Sequence, residues 1–181
     1  MKVCKKCIIV CFSVAILTLF SSCSNEVSRE EFISDFFSNQ REFEIVASQF
    51  LNQDNIIGLT VGNGENLCNE LNSWRSCPDY NNEWEMWSVK ENRVIRVPDF
   101  KYVLLNENIP EDRYAYFSDF LKSQSFRSIR KYPGGWVEFE SDKMGVRFNS
   151  SPNVSFPDGL KFNFVKRINT NWFFYEKVVQ E

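Results

Sequence analysis

Apolar residues first settle into a repeat at Phe32, Ile33, Phe36, Phe37, Phe43, Val46, Ala47, Phe50 and Leu51. Steps of three and four place such side chains along one stripe of an α-helix. Its start is marked too. Ser28-Arg29-Glu30-Glu31 fits a capping box, in which Ser28 accepts from the Glu31 amide and Glu31 reaches back. Val27 and Phe32 have the spacing of the accompanying hydrophobic staple. The pattern predicts a long N-terminal amphipathic helix over 28–52.

After the turn at Asn52–Asn55 the period shortens. Residues 56–61 read as a strand ended by Gly62-Asn63-Gly64. Leu67 and Leu71 suggest a short helix over 65–73, followed by a polar loop from Ser76 to Asn82. Trp84, Met86 and Ser88 alternate with Glu85 and Trp87, the period of a strand. Val94–Val97 and Tyr102–Leu105 read as further short strands, with Pro98-Asp99 between them. Pro110 suits the first position of a second helix, and Glu111 and Asp112 suit its first turn. Tyr114, Phe117, Phe120 and Leu121 then line one face, so a helix is expected at 110–124.

The last third alternates like strands. Val137 and Phe139 interleave with Glu138 and Glu140, and Met144–Phe148 returns across Ser141-Asp142-Lys143. Tyr132-Pro133-Gly134-Gly135-Trp136 reads as a turn into a strand. Phe162, Phe164 and the run from Trp172 form a final hairpin around Asn169-Thr170-Asn171. Helix, mixed strands, helix, strands is the order of an α+β domain with a largely antiparallel sheet, occupying 28–181.

What precedes this domain has a different character. Lys2, Lys5 and Lys6 form a positive head, and Ile8–Phe20 is an apolar run of thirteen residues. A bilayer core needs about 20 such residues, whereas a secretory signal needs about 7–15. The run ends Leu19-Phe20-Ser21-Ser22-Cys23. This segment resembles the lipobox of bacterial lipoproteins: an apolar residue, two small residues and a cysteine. The resemblance covers the first 23 residues only. It implies that 1–22 are removed as a signal peptide and that Cys23 becomes the first residue. A diacylglyceryl group on its sulfur, with a palmitate-type acyl group on its amine, would then attach the protein to membrane. Two or three chains anchor stably, because each buried CH₂ contributes about 0.8 kcal/mol. The implied location is the cell envelope. Ser24, standing where aspartate marks inner-membrane retention, favours the outer membrane. Residues 23–27 are then the lipidated tether, of which the four residues Ser24–Val27 reach roughly 14 Å when extended.

Composition narrows the chemistry. The chain has no histidine, which removes Ser-His-Asp and Cys-His nucleophiles in their usual forms and histidine-ligated zinc. Losing Lys2, Lys5 and Lys6 takes the formal charge from −3 to about −6, a balance that argues against nucleic-acid partners. Arg127, Arg130, Lys131, Lys166 and Arg167 read as scattered solvated charges. No metal or cofactor is expected. Cys4, Cys7 and Cys11 would leave with the signal, so Cys68 and Cys77 are the pair available to an exported domain, and a disulfide between them is expected.

Two features carry candidate function. Tyr80, Trp84 and Trp87 lie in an acidic-aromatic stretch suited to stacking on sugars or docking a protein. Glu83 with Glu85, or Glu138 with Glu140, sit two apart on a strand and so share a face. Glycoside hydrolysis requires two such carboxylates about 5–9.5 Å apart. The leading expectation is a lipid-anchored, non-enzymatic domain that binds or inhibits an envelope protein or glycan. The alternatives are a small carboxylate-dependent hydrolase of envelope glycan, or a structural component of an envelope assembly.

Overall fold

The computed structural model describes residues 28–61, 68–77, 83–88, 90–97, 99–152, 154–156 and 162–178. The expected signal peptide, Cys23 and its tether, and Tyr80 lie outside the described residues. The chain divides into two compact units, Met1–Ser38 and Asn39–Glu181.

Helix α1 runs Arg29–Leu51 and crosses the boundary between the units. Within the first unit the Ser28 hydroxyl accepts from the Glu31 amide at 3.1 Å, as a capping residue does. The second unit holds the rest of α1, helices α2 (Phe100–Asn106) and α3 (Glu111–Ser123), and one ten-stranded antiparallel sheet. Among the described residues no helix is long and apolar enough to cross a membrane.

The strands are β1 Gly58–Thr60, β2 Asn69–Leu71, β3 Trp74–Ser76, β4 Trp84–Ser88, β5 Arg93–Val97, β6 Ser128–Tyr132, β7 Trp136–Glu140, β8 Met144–Asn149, β9 Phe162–Arg167 and β10 Trp172–Lys177. Their order across the sheet is β5-β4-β3-β2-β1-β6-β7-β8-β10-β9. Most neighbours are therefore joined by short turns. The chain leaves the sheet after β5 to form α2 and α3, then returns beside β1.

Alternation along each strand gives the sheet two different faces. The front face carries the helices. Phe43 of α1 meets Phe120 of α3, Phe126, and Phe139 of β7 edge-on, at ring separations of 5.0, 5.3 and 5.1 Å. Phe50 meets Phe117 at 5.1 Å in the same way. Edge-to-face contact suits the ring quadrupoles and adds to the area buried. Leu59, Ile129, Val137, Val146 and Phe174 complete this layer as buried strand residues. Trp172 is fully buried, and its indole N–H reaches Glu44 Oε1 at 3.3 Å.

Several segments differ from the sequence expectation. Tyr102–Leu105 is helix, not strand. Asp99 accepts from the Lys101 amide at 2.9 Å and caps α2. A short unbroken apolar run has no period with which to choose between strand and helix. The cap and burial decide: Val103 and Leu104 face in, while Tyr102 and Leu105 face out. The expected helix at 65–73 is also absent where the structure describes it, since 69–71 is β2. Asn72, at φ 52°, begins a two-residue turn into β3. Asparagine tolerates that left-handed conformation, which tight hairpins require. Strand β6 has no counterpart in the sequence reading, which assigned its charges to solvent.

Candidate functional site

Of the aromatic patch expected at Tyr80, Trp84 and Trp87, the structure describes the side chain of Trp84 alone. Trp84 is buried, with its ring stacked on Phe100 at 5.7 Å, so it belongs to the front core. Trp87 contributes backbone to β4 opposite Val94, and its side chain lies outside the described residues. Cys68 and Cys77 form a disulfide with Cα atoms 4.4 Å apart. They extend the β2–β3 ladder one step beyond Asn69↔Ser76, at a separation typical of a non-hydrogen-bonded cross-strand pair.

The back face holds the feature that pattern reading along the chain missed. Strand register aligns one residue from each strand in a transverse row: Arg96, Glu85, Arg75, Glu70, Gly58, Arg130, Glu138, Arg147, Phe173 and Arg167. Cross-strand partners share a face, so these side chains are neighbours. From Arg96 to Arg147 basic and acidic residues alternate, with Gly58 interposed, and beyond Phe173 the row ends on a second basic residue, Arg167.

Gly58 explains how the row continues across β1. A Cβ there would stand 3.1 Å from Arg130 Cζ. Without it, the Arg130 guanidinium passes over the strand. Nη1 then donates to Glu70 Oε2 at 2.7 Å, and Nη2 donates to the Cys68 carbonyl at 3.0 Å.

The row has a closed half. Glu138 and Arg147 side chains are each only 5% exposed and are ion-paired through Arg147 Nε and Glu138 Oε2. The Tyr132 hydroxyl donates to Glu138 Oε1 at 3.1 Å. Four rings surround the guanidinium: Tyr132, Phe156, Phe162 and Tyr175, at 4.9, 5.2, 5.7 and 5.7 Å from Arg147 Cζ. Burial pushes the Glu138 carboxyl above the usual carboxylate range, against the pull of Arg147. Burial, reinforced by Glu138, likewise raises the Tyr132 hydroxyl to about 12. Tyr175 is raised well above its usual value by burial, then by Glu138 and Glu140. Its hydroxyl has no hydrogen-bond partner among the described residues. That ring lies over Gly145, where a Cβ would come within 2.3 Å of the hydroxyl oxygen. Glu140 pairs with Lys177, whose ammonium also reaches the Ser141 carbonyl at 2.9 Å.

Glu138 and Glu140 thus share a face, as their spacing predicts, but Glu138 is buried rather than half-exposed. Both its oxygens are engaged, and aromatic side chains pack around its partner. This arrangement holds strands together and offers no carboxylate to a sugar. Glu83 and Glu85 differ: Glu85 belongs to the row and pairs with Arg96 at 3.3 Å.

The other half of the row is open. Arg75 and Arg96 side chains are each 55% exposed, whereas Glu70 and Glu85 are 24% and 20% exposed. Both arginines use Nε toward their glutamate, at 3.5 and 3.3 Å. Each guanidinium is thus tied at Nε to a glutamate on the neighbouring strand, while about half of each side chain stays in contact with solvent. Two strand spacings, about 10 Å, separate the two positions. Neither arginine was singled out in the sequence. Their signal lies in register, which becomes visible only once all ten strands are aligned.

The chain matches no protein-family model, no curated protein and no solved structure. Function therefore has to be read from the geometry. Among the described residues, no three or more acidic or cysteine side chains gather as a metal site.

Proposed function

We propose that this chain is a lipid-anchored envelope protein, attached through Cys23, that binds a protein partner through the open half of its charged row. The observation that carries the reading is the pair of half-exposed arginines, Arg75 and Arg96, each ion-paired through Nε with a glutamate beside it in the row. Preorganised arginines lose less freedom on binding, which favours their use at interfaces. Acidic side chains on the partner are the complementary chemistry. A highly charged anionic polymer fits less well, because Glu70 and Glu85 lie beside the arginines and the chain is net acidic. Glycan stacking loses one of its candidate rings with Trp84 in the core.

The anchor rests on the lysine-rich head, the short apolar run and the Ser21-Ser22-Cys23 boundary. The N-terminal helix, read as one amphipathic rod from its Ser28 cap, leaves Ser24–Val27 as the tether. Metabolic labelling with a fatty-acid analogue tests this part. Label is expected on the wild-type protein and absent from Cys23→Ala, and label retained by Cys23→Ala contradicts the anchor. Binding is tested by cross-linking from a photoreactive residue at position 75 in cells. A specific adduct with an envelope protein is expected, and absence of any adduct contradicts a protein partner at this face.

A further inference from the structure

The row has two ends, and the sheet treats them differently. Both edge strands carry basic residues, which ordinarily discourage unwanted strand pairing. At the β9 end, Arg167 is tied down by the protein itself. Its Nη2 donates to the Val154 carbonyl at 2.7 Å, and its guanidinium lies 4.8 Å from the Phe173 ring centre. At the β5 end, Arg96 is paired through Nε with Glu85 of the neighbouring strand, and its side chain is 55% exposed.

Strand β5 also has the composition of a strand that accepts another. Its sequence is Arg-Val-Ile-Arg-Val, rich in β-branched residues. Val94 is 44% exposed. It lies two residues from Arg96 and so shares the back face. On its other side, β5 pairs with β4 along its whole length, from Trp84↔Val97 to Ser88↔Arg93. Among the described residues, no strand pairs with the outer edge of β5.

We infer that the outer edge of β5 receives an extended segment of the protein partner as an eleventh strand. An acidic side chain of that segment would stand opposite Arg96, and an apolar one, two residues away, opposite Val94. The row's alternation sets this chemistry. Inward from Arg96 the order is Glu85, Arg75, Glu70, so the next position outward calls for an acid. Opposite charges directly across a strand pair attract, and like charges repel. Backbone hydrogen bonds supply affinity in such strand addition, and side chains at alternate positions supply specificity. A second copy of β5 fits less well, since pairing centred on Arg96 sets arginine against arginine. This inference rests on the proposed protein-binding role and specifies where and how the partner docks.

The experiment uses full-length protein in detergent and synthetic peptides of alternating threonine, with glutamate and valine two residues apart. A second peptide carries lysine in place of glutamate. Binding is followed together with amide hydrogen exchange at Arg93–Val97. The glutamate peptide is expected to bind and to slow exchange of the outward-facing β5 amides. Arg96→Glu is expected to weaken that peptide about five- to tenfold and to favour the lysine peptide instead. Equal binding of both peptides to wild type and Arg96→Glu overturns the inference, as does binding without protection of β5. So does failure of the glutamate peptide to bind. Cross-linking separates this from the broader reading: a partner captured from position 75 but never from position 94 keeps the face and removes the edge.

Discussion

At the scale of single residues, the Glu138–Arg147 pair shows how desolvation and attraction compete. Its carboxyl titrates above the ordinary range although a guanidinium touches it, so loss of water outweighs the attraction. Breaking such a buried pair from one side strands a charge and costs about 3–5 kcal/mol, whereas replacing both partners by apolar groups of similar size is often neutral. Arg147→Met is therefore expected to destabilise by about 3–5 kcal/mol, and Glu138→Leu with Arg147→Met to return to within about 1 kcal/mol of wild type. Urea unfolding of the four proteins in the cycle measures this, and additive costs would contradict it. Tyr114 gives a second residue-scale expectation. Burial raises its hydroxyl from 10.0 to about 12. The folded protein then keeps a proton that the unfolded chain releases, so this contribution is complete below pH 10 and lost as pH rises toward 12. Its own contribution should fall by about 2–3 kcal/mol across that window, beside the losses from Tyr132 and Tyr175. Tyr114→Phe should flatten this part of the profile, as read by denaturant titration alongside tyrosinate absorbance.

At the scale of elements, what could be read in advance depended on whether a local signal existed. Helix α3 was legible because Pro110, Glu111 and Asp112 mark its start and Phe117, Phe120 and Leu121 mark its buried face. The last hairpin was legible from Asn169, whose side chain accepts from the Asn171 and Trp172 amides at 2.9 and 3.0 Å. Helix α2 was not legible, because the unbroken apolar run Tyr102–Leu105 lacks a period. Strand β6 was hidden because charged residues occupy both faces and Ile129 alone of its five is an aliphatic core residue. Arg130 serves the back row, while Lys131 reaches the Gln53 carbonyl and lies 5.8 Å from the Phe50 ring centre. The Cys68–Cys77 bridge, expected from export and spacing, locks two strands of three residues each. Its loop spans a sequence separation of 9. Removing it with Cys68→Ser and Cys77→Ser is expected to cost about 2–3 kcal/mol, measured by thermal or urea unfolding. No change would show that the hairpin holds without it.

At the scale of the whole molecule, the back-face row divides the work. Its closed half is buried and aromatic-lined, and its loss should be felt in stability. Its open half is solvated, and exposed ion pairs contribute only about 0–1 kcal/mol. Charges arranged this regularly at little benefit to folding are what the proposed binding role would use, since complementary charge sets register and partner choice. None of this was legible along the chain, since Arg75, Glu85 and Arg96 are neighbours only through the pairing of β3, β4 and β5. The most direct test is quantitative capture of envelope proteins by wild type and by Arg75→Glu with Arg96→Glu, after both are shown to unfold at similar urea concentrations. The account predicts that a partner held by the wild type is lost from the doubly substituted protein. Capture of the same partner in the same amount by both proteins would contradict it.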